Sequence, residues 1–244
     1  MIDTELLRAY AAEYGIIVSE AACEKFDRYA ELLVEWNQKM NLTAVTEPQD
    51  IVLKHFVDSI TALTVLPEKT GLSLIDVGTG AGFPGIPLAI MREDIELTLL
   101  DSLNKRLVFL KEVCDALGIR AQLIHSRAEE GGRNPKLRER YDVAIARAVA
   151  AMPVLSEYCI PFVKTGGRFI AMKGPDSDAE MQAASRAVEL LGGRVSAVKE
   201  LTLPCQSHDG VELLGRRLFV IDKEKLTPSR FPRQSAKIAK EPLG

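Results

Sequence analysis

The sequence predicts an α/β protein with a mostly parallel sheet, an antiparallel last strand and a helical segment ahead of the sheet. From residue 72 onward, short β-branched apolar runs alternate with helix-length segments, which is the pattern of β-α-β units. The last two apolar runs are joined by a polar loop too short for a crossover helix, so the final strand should run antiparallel to its partner. We therefore expect a helical segment over residues 1–65, a sheet domain over 66–222 and a basic tail over 223–244.

The helical segment contains three predicted helices. Apolar residues at helical spacing mark the first helix (Leu7, Tyr10, Ala11, Tyr14) and the second (Phe26, Tyr29, Leu33, Trp36). Thr46-Glu47-Pro48-Gln49 fits a capping box, in which Thr46 accepts from the first-turn amides and Gln49 reaches back. This box predicts a third helix from about residue 48 to 64.

The sheet domain alternates predicted strands with predicted helices. The strands are residues 72–77, 97–100, 122–125, 143–146, 168–172, 195–203 and 217–222. The helices are residues 84–92, 104–117, 151–162 and 177–192. This alternation predicts helices on both faces of the sheet.

Composition excludes several classes of protein. The chain has 244 residues, 47% hydrophobic and 27% charged, with a net charge of −3, which argues against nonspecific nucleic-acid binding, so we expect no DNA partner. The cysteines are far apart and lack the histidines of a zinc site, so we expect no metal and a reducing compartment (Cys23, Cys114, Cys159, Cys205). No apolar stretch approaches the ~20 residues of a membrane span, so we expect a cytoplasmic protein with no membrane partner.

A glycine-rich segment, Asp76-Val77-Gly78-Thr79-Gly80-Ala81-Gly82-Phe83-Pro84-Gly85, follows the first predicted strand. Closely spaced glycines between a strand and a helix let the backbone turn sharply and approach a ligand, so Gly78, Gly80 and Gly82 are expected to bind a small cofactor. The same segment satisfies G-x-G-x-x-G, which keeps a NAD-dependent oxidoreductase open as an alternative.

Other features favour S-adenosylmethionine as the cofactor. The segment resembles the D-x-G-x-G-x-G pattern of class I methyltransferases, and Pro84 and Pro87 remove amide donors that a pyrophosphate would use. An antiparallel last strand is also typical of methyltransferases. Asp101 is expected to accept from ribose hydroxyls, to cap the following helix, or both. Ala128 and Glu129 fall where methyltransferases hold the adenine, and the alternative for Glu129 is a solvated surface acid.

Motifs along the chain then point to one family. They occur in a fixed order: Trp36-Asn37-Gln38-Lys39-Met40-Asn41-Leu42-Thr43, His55-Phe56-Val57-Asp58-Ser59, the glycine segment, Asp101-Ser102-Leu103-Asn104-Lys105-Arg106, and Ala146-Arg147-Ala148-Val149-Ala150. Together they closely resemble the bacterial small-subunit ribosomal RNA guanine-N7 methyltransferase family, also called glucose-inhibited division protein B or methyltransferase G. The resemblance extends into the tail, at Thr227-Pro228 and Phe231-Pro232-Arg233. It implies methyl transfer from S-adenosylmethionine to N7 of one guanine in the decoding region of 16S rRNA, with that rRNA or the small ribosomal subunit as partner.

The resemblance also implies cofactor contacts in this chain. They are Gly78 and Phe83 in the glycine segment, Ala128 and Glu129 after the third strand, and Arg147 at the end of the fourth. Phe83 stands where relatives have leucine, and we expect the larger ring still to pack against the cofactor.

N7 methylation places few demands on the protein. The in-plane lone pair of N7 attacks without loss of a proton, so placing the reactants in line can supply up to about 7–11 kcal/mol without a general base. Ala146-Arg147-Ala148-Val149 also differs from the Asn/Asp-Pro-Pro-aromatic segment usual for exocyclic amine methylation. Cys159 is expected to be a buried helix residue rather than the nucleophile of pyrimidine C5 methylation.

Arg147 and Lys173 are the candidate catalytic residues, with a role in positioning the base. Each is predicted at the carboxyl end of a strand, where ligands bind in open α/β sheets. We expect Arg147 to border the cofactor and the reactive base. Lys173 should contact an RNA phosphate or a guanine acceptor.

The polar residues of the helical segment admit two interpretations. His55 and Asp58 share a helix face, and Asn37 and Asn41 precede that helix. They form either a hydrogen-bonded link between the helical segment and the core, or a wall that covers the cofactor or faces RNA. Trp36 is expected to pack in the core with its apolar stripe.

The tail concentrates positive charge. Residues 223–240 contain one acid, Glu224, and six basic residues, a local charge of +5 (Lys223, Lys225, Arg230, Arg233, Lys237, Lys240). We expect an RNA clamp with contacts from Arg230, Arg233 and Lys237, and the alternative is a solvated, disordered end. If the tail is a clamp, trimming the chain after Asp222 should weaken RNA binding and spare cofactor binding. A noncatalytic RNA-binding protein is a further alternative for the whole chain.

Overall fold

A computed structural model describes residues 2–207 and 210–243, with side chains for residues 2–204 and 213–243. Within these ranges seven strands form one sheet, in the order β3-β2-β1-β4-β5-β7-β6. The strands are β1 Ser73–Val77, β2 Glu96–Asp101, β3 Ala121–His125, β4 Tyr141–Arg147, β5 Val163–Lys173, β6 Gly193–Ser207 and β7 Gly210–Lys223. Strands β1 to β5 pair in parallel, and β7 is antiparallel to both of its neighbours. The predicted fold class is therefore confirmed.

The order of the strands places a crevice beside β1. Chain connections run outward from β1 to β2 and β3 on one side and return to β4 on the other, with Asp76 paired to Leu99 and to Ile145 in the two registers. Ligands bind in open α/β sheets at this reversal, outside the carboxyl ends of the strands. The glycine segment begins there.

Helices cover both faces of the sheet, as predicted. They are α1 Thr4–Ala12, α2 Glu20–Met40, α3 Pro48–Asp50, α4 Asp58–Ile60, α5 Gly85–Met91, α6 Asn104–Leu117, α7 Ala128–Gly131, α8 Met152–Cys159, α9 Asp178–Leu190 and α10 Ser235–Lys240. The N-terminal helices share one hydrophobic core with α5 and α6, and α8 and α9 pack in a second core with the tail. No helix in the described part of the chain is long and apolar enough to cross a bilayer.

The predicted third helix is present but irregular, and we call residues 48–65 the mixed helix. It begins with α3, widens to a π-helix over Ile51–Val57, continues as α4 and ends as a 3₁₀-helix over Thr61–Val65. Its predicted apolar face is buried at Val52, Phe56 and Ile60. The predicted capping box is wrong, because Glu47 is the N-cap and makes no side-chain cap bond. Gln49 is then the second helical residue and not the third, the position from which a box closes.

The tail is folded onto the body, so its alternative as a disordered end is wrong. Phe231 and Ile238 are buried, and β7 extends to Lys223. The Lys223 ammonium donates to Ile160 O at 3.1 Å and pairs with Glu139 at 3.3 Å, and burial lowers its pKa to about 8. Because trimming after Asp222 would remove this packing, we no longer expect such a truncation to leave the body and its cofactor binding intact.

Replacing Phe231 by alanine tests the packing of the tail. Phe231 is 4% exposed, so Phe231→Ala should lower the free energy of unfolding by about 3–5 kcal/mol in urea denaturation. Leu226 lies in the same tail but is 68% exposed, so Leu226→Ala should change it by less than about 0.5 kcal/mol. Equal, small effects of the two substitutions would contradict the packed tail.

Candidate cofactor site

A cavity of about 450 Å³ opens at the carboxyl ends of β1, β2 and β4. This volume lies within the range of roughly 300–1,000 Å³ typical of small-molecule sites. The predicted cofactor residues that line it are Gly78, Gly80, Phe83, Asp101, Ala128, Glu129 and Arg147. Of the predicted set, Gly82 alone does not line this cavity.

The glycines of the segment differ in what lies where a side chain would otherwise be. Gly78, Gly80 and Gly82 have φ values of +71°, +62° and +100°, which favour glycine. A Cβ at Gly82 would lie 2.5 Å from the Tyr29 hydroxyl, so this glycine lets α2 approach the segment, where Tyr29 donates a hydrogen bond to Ala81 O. A Cβ at Gly80 would meet no protein atom within 4 Å, so the space beside Gly80 is open.

Asp76, the acid that opens the pattern, ties the two ends of the segment together. Its Oδ2 accepts from Thr79 Oγ1 at 2.7 Å and from the Gly85 amide at 2.8 Å. Burial raises the pKa of this carboxyl to about 6, although both hydrogen bonds favour the charged form. Asp76 therefore holds the shape of the segment from behind the cavity.

Asp101 is a buried residue in the cavity wall. Its Oδ1 accepts from the amide of Leu103, the N-cap of α6, at 2.9 Å, and its Oδ2 accepts from the Gly80 amide at 2.9 Å. Arg106 lies 3.3 Å from the same Oδ2. Asp101 thus bonds the amide of the residue before α6 and no amide of its first turn, so the predicted helix cap is not formed, and the contact with ribose stays a prediction.

Glu129 also belongs to the cavity wall, in the first turn of α7. Its relative exposure is 6%, so the alternative of a solvated surface acid is wrong. Ala128 precedes it in the same wall.

Arg147 ends β4 and is held by the mixed helix. Its Nη1 donates to Asp58 Oδ2 and to Lys54 O, both at 2.9 Å. Its guanidinium carbon lies 5.1 Å from the centre of the Phe83 ring, within the range of a cation–π contact. Asp58 accepts a second guanidinium, because Arg216 Nε from β7 donates to Oδ1 at 3.0 Å. Sequence reasoning did not identify Arg216 as a site residue. The only feature that marks it in the sequence is that another arginine follows it in β7.

His55 connects Arg147 to the polar stretch after α2. Arg147 Nη2 lies 3.4 Å from His55 Nδ1 and can only donate, so Nδ1 must be the acceptor. The ring proton therefore belongs on Nε2, which donates to Thr43 Oγ1 at 2.8 Å. Asn37 Oδ1 in turn accepts from the Thr43 amide at 2.9 Å. Burial and the charge of Arg147 lower the pKa of His55 to about 3, so the ring is neutral.

The two interpretations of the polar residues in the helical segment turn out to be compatible. The bonds from Asn37 through His55 to Arg147 link the segment to the sheet, and Thr43 and His55 also line the cavity. Asn41 ends α2 with a φ of +48°. Trp36 packs on the core beside Phe109, at 5.8 Å between ring centres, as predicted.

Phe83 fills the wall between these groups. Its ring stacks on His55 at 4.4 Å and on Tyr29 at 5.3 Å between centres. The aromatic ring is therefore accommodated by stacking, and its remaining surface faces the cavity.

The other predicted site residues lie outside this cavity. Lys173 ends β5, donates to Ala150 O at 3.0 Å and pairs with Glu180 at 2.7 Å. Arg233 forms an internal ion pair with the fully buried Glu157, its Nη2 lying 2.7 Å from Oε2, which argues against its predicted contact with RNA. Arg230 and Lys237 are exposed.

Cys159 is fully buried at the end of α8, and the pKa of its thiol is raised well above the usual value. Its prediction as a buried helix residue is therefore confirmed.

The sheet order, the antiparallel β7 and the cavity over a glycine segment define a class I S-adenosylmethionine-dependent methyltransferase. Solved structures of similar fold include a precorrin-6y C5,15-methyltransferase from Geobacter metallireducens, with a TM-score of 0.53 and 16% identity over 74% of this chain and 90% of that one. An S-adenosylmethionine-dependent O-methyltransferase from Thermotoga maritima has a TM-score of 0.51 and 15% identity over 79% of this chain and 72% of that one.

Sequence comparison then places the chain within this class. A family model described as rRNA small subunit methyltransferase G matches residues 22–208. Ribosomal RNA small subunit methyltransferase G from Clostridium perfringens (strain 13 / Type A) is 48% identical over 240 residues, 98% of each chain. The protein of that name from Lactobacillus johnsonii is 44% identical over 245 residues, 99% of this chain and 100% of that one. The chain belongs to the rRNA small subunit methyltransferase G family, and its cofactor is S-adenosylmethionine. The NAD-dependent oxidoreductase is thereby set aside.

Gly80→Ala tests the cavity as the cofactor site. Gly80 and Gly118 have similar φ values, +62° and +66°, and a Cβ at either position would meet no protein atom within 4 Å. Alanine at either position should therefore lower the free energy of unfolding by about the same 1–2 kcal/mol. Gly118 lies at the end of α6, outside the cavity. We expect S-adenosylmethionine affinity, measured by calorimetry, to fall more than about tenfold in Gly80→Ala and to stay unchanged in Gly118→Ala. Equal affinities would contradict this site.

The pH behaviour of His55 tests the contacts around Arg147. A folded-state pKa of about 3, against the ordinary 6.5, means that His55 stabilises the fold fully above pH 6.5 and loses this contribution as the pH falls toward 3. In ¹H–¹⁵N NMR spectra the ring should stay neutral, with its proton on Nε2, from pH 8 to 5. Arg147→Ala removes a donor and a charge and should raise the pKa of His55. A His55 that is protonated at pH 6 in the unaltered protein would contradict this geometry.

Proposed function

We propose that this protein transfers the methyl group of S-adenosylmethionine to N7 of a specific guanine in the decoding region of 16S rRNA. Its partner is that rRNA or the small ribosomal subunit, and it acts in the cytoplasm. Membership of the rRNA small subunit methyltransferase G family supports the substrate class. The chemistry of the cavity wall supports the nitrogen acceptor.

The residues around the cavity fit S-adenosylmethionine. Asp101 and Glu129 bring two carboxylates to the wall, suited to ribose hydroxyls and to the adenine, and open space adjoins Gly80. When bound, S-adenosylmethionine supplies an electrophilic methyl group on a positively charged sulfonium. Gly78, Phe83 and Ala128 supply the remaining shape of the wall, whereas Gly82 contributes only through packing.

One observation carries the proposal of an N7 acceptor: His55, the imidazole in the cavity wall beside Arg147, is not available as a base. Both nitrogens of His55 are engaged, by Arg147 and by Thr43, and its pKa of about 3 leaves it a poor proton acceptor. Cys159 is fully buried, and its raised pKa keeps the thiol protonated. N7 of guanine needs neither, because its lone pair attacks without a proton to remove.

Arg147 acts in this proposal as a positioning group whose charge is partly offset. Methylation at N7 makes the guanine cationic, so an unpaired guanidinium nearby would oppose the reaction. Asp58 accepts from Arg147 at 2.9 Å and offsets part of that charge, although the same carboxylate also pairs with Arg216. Arg147 can therefore hold Phe83 and the cavity wall in place while Asp58 offsets part of its positive charge.

Contacts with RNA come, in this proposal, from the exposed cations of the packed tail. Arg230 and Lys237 are exposed, and the Arg230 guanidinium stacks on Phe231 at 5.0 Å, which fixes its position. Arg233 serves instead as the anchor that joins the tail to α8 through Glu157. Phosphate contacts of this kind strengthen binding for any sequence and make it sensitive to salt.

Methylation of unmethylated small ribosomal subunits tests the proposed reaction. With tritiated S-adenosylmethionine, we expect label at one guanine of 16S rRNA, and cleavage after borohydride and aniline treatment should map it to N7. Label on protein, DNA or a small metabolite, with none on rRNA, would defeat the proposal. Affinity for the subunit without any methyl transfer would instead support the noncatalytic RNA-binding alternative.

Removing two exposed cations of the tail tests its contact with RNA. We expect Arg230→Ala combined with Lys237→Ala to weaken subunit binding and to lower the slope of log affinity against log salt by about 1.4 to 1.8. The matched control is Lys111→Ala with Arg120→Ala, which removes the same charge beside the amino end of β3, opposite the cavity. If both double variants change the slope equally, the tail is not the contact.

A further inference from the structure

A second cavity, of about 310 Å³, lies at the carboxyl end of β5. Its wall includes Lys173, Gly174, Asp176, Glu180 and Ala148. Ala148 also lines the cofactor cavity, so one residue forms part of both walls. Its φ of +54° is a left-handed conformation that non-glycine residues rarely adopt, and such strain tends to occur at functional sites.

Lys173 and Glu180 form the polar wall of this cavity. The Lys173 side chain is only 11% exposed and uses two of its three donors, on Ala150 O at 3.0 Å and on Glu180 Oε2 at 2.7 Å. Glu180 Oε2 also accepts from the Met152 amide at 3.1 Å. Both bonds of Glu180 to the described residues therefore fall on Oε2, which leaves Oε1 and one N–H of Lys173 for a ligand.

A donor beside an acceptor matches the Watson–Crick edge of guanine. Guanine presents O6 as an acceptor there, together with N1–H and the 2-amino group as donors, whereas adenine presents an amino group in place of O6. The Lys173 ammonium can donate to O6, and the Glu180 carboxylate can accept from N1–H or the 2-amino group. The same pair would meet mismatched groups on adenine.

The charges of this pair favour a base over a phosphate. Glu180 neutralises Lys173, and Asp176 adds a further acid to the same wall, so the cavity does not present the excess positive charge that a phosphate requires. An acidic wall also suits a guanine that becomes cationic on methylation at N7.

In the transfer step, the N7 lone pair forms the new N–C bond with the methyl carbon. The C–S bond breaks at the same time, and the electron pair of that bond passes to sulfur.

We propose that the second cavity is the subsite for the target guanine, with Lys173 on O6 and Glu180 on the N1–H and 2-amino edge. The proposal rests on the proposed function and adds Glu180 as a residue that determines specificity. Since Ala148 borders both cavities, a base held here lies beside the cofactor cavity.

Glu180→Gln tests the subsite with little change of shape, because the amide oxygen can still accept from Met152 and Lys173. We expect kcat/KM on unmethylated subunits to fall about 10- to 100-fold, with S-adenosylmethionine affinity and the urea midpoint unchanged. Asp178→Asn is the matched control, since Asp178 begins the same helix and pairs with Arg217 outside the cavity. Replacing the target guanine by inosine, which lacks the 2-amino group, should slow the unaltered enzyme and have less effect in Glu180→Gln.

The outcomes separate the two proposals. If the unaltered enzyme places no methyl on guanine N7, the proposed function fails. If it does, while Glu180→Gln keeps the full rate and the full inosine penalty, the subsite is overturned and the function stands. Should Glu180→Gln fail to fold, NMR of the unaltered protein saturated with S-adenosylhomocysteine decides: GMP should shift the amides of Ala148, Gly174 and Glu180 more than AMP does, and equal or absent shifts would overturn the subsite.

Discussion

The structure depends most on the contact between Asp58 and Arg147, because it joins three parts of the chain that are far apart in sequence. Asp58 lies in the mixed helix, Arg147 ends β4, and Arg216 approaches the same carboxylate from β7. All three side chains are largely buried, and removing one partner of such a pair typically costs about 3–5 kcal/mol, since the other charge stays buried without compensation. The contact fixes the mixed helix to the sheet and thereby sets the position of His55 and Phe83 in the cavity wall.

Each cavity has in its wall a cation that is paired with a carboxylate. Arg147 is paired with Asp58, and Lys173 is paired with Glu180. A reaction that begins with a positively charged donor and ends with a positively charged base is disfavoured by free cations. Pairing a cation with a carboxylate keeps its hydrogen-bonding geometry and weakens its field, less so at Asp58, which Arg147 shares with Arg216. The neutral His55 follows from the same arrangement, because the nearby Arg147 adds to the effect of burial in lowering its pKa.

Sequence reasoning identified residues whose role shows in a local pattern. It failed for residues whose role depends on a contact with a distant part of the chain. Gly78 and Gly80 were recognisable because their spacing after an apolar strand demands turns that other residues rarely make. Gly82 shares that pattern, yet its lack of a side chain makes room for Tyr29, which comes from a distant helix. Arg233 likewise looked like a surface cation within a basic tail, and only packing against α8 reveals the buried Glu157 beside it. The capping box was misplaced by one residue, because Pro48 takes the first helical position, which proline favours, and makes Glu47 the N-cap.

The sequence alone determined the order of helices and strands, the antiparallel last strand, the glycine segment and the family, because periodicity, loop length and motif spacing are properties of neighbouring residues. The tertiary structure alone decided which charges meet: Arg216 reaches Asp58 across 158 positions of sequence, and Arg147 reaches it across 89. It also decided that Ala148 borders two cavities. Such contacts depend on the order of strands in the sheet and on the helices packed over it, and no local pattern encodes which side chains that packing brings together.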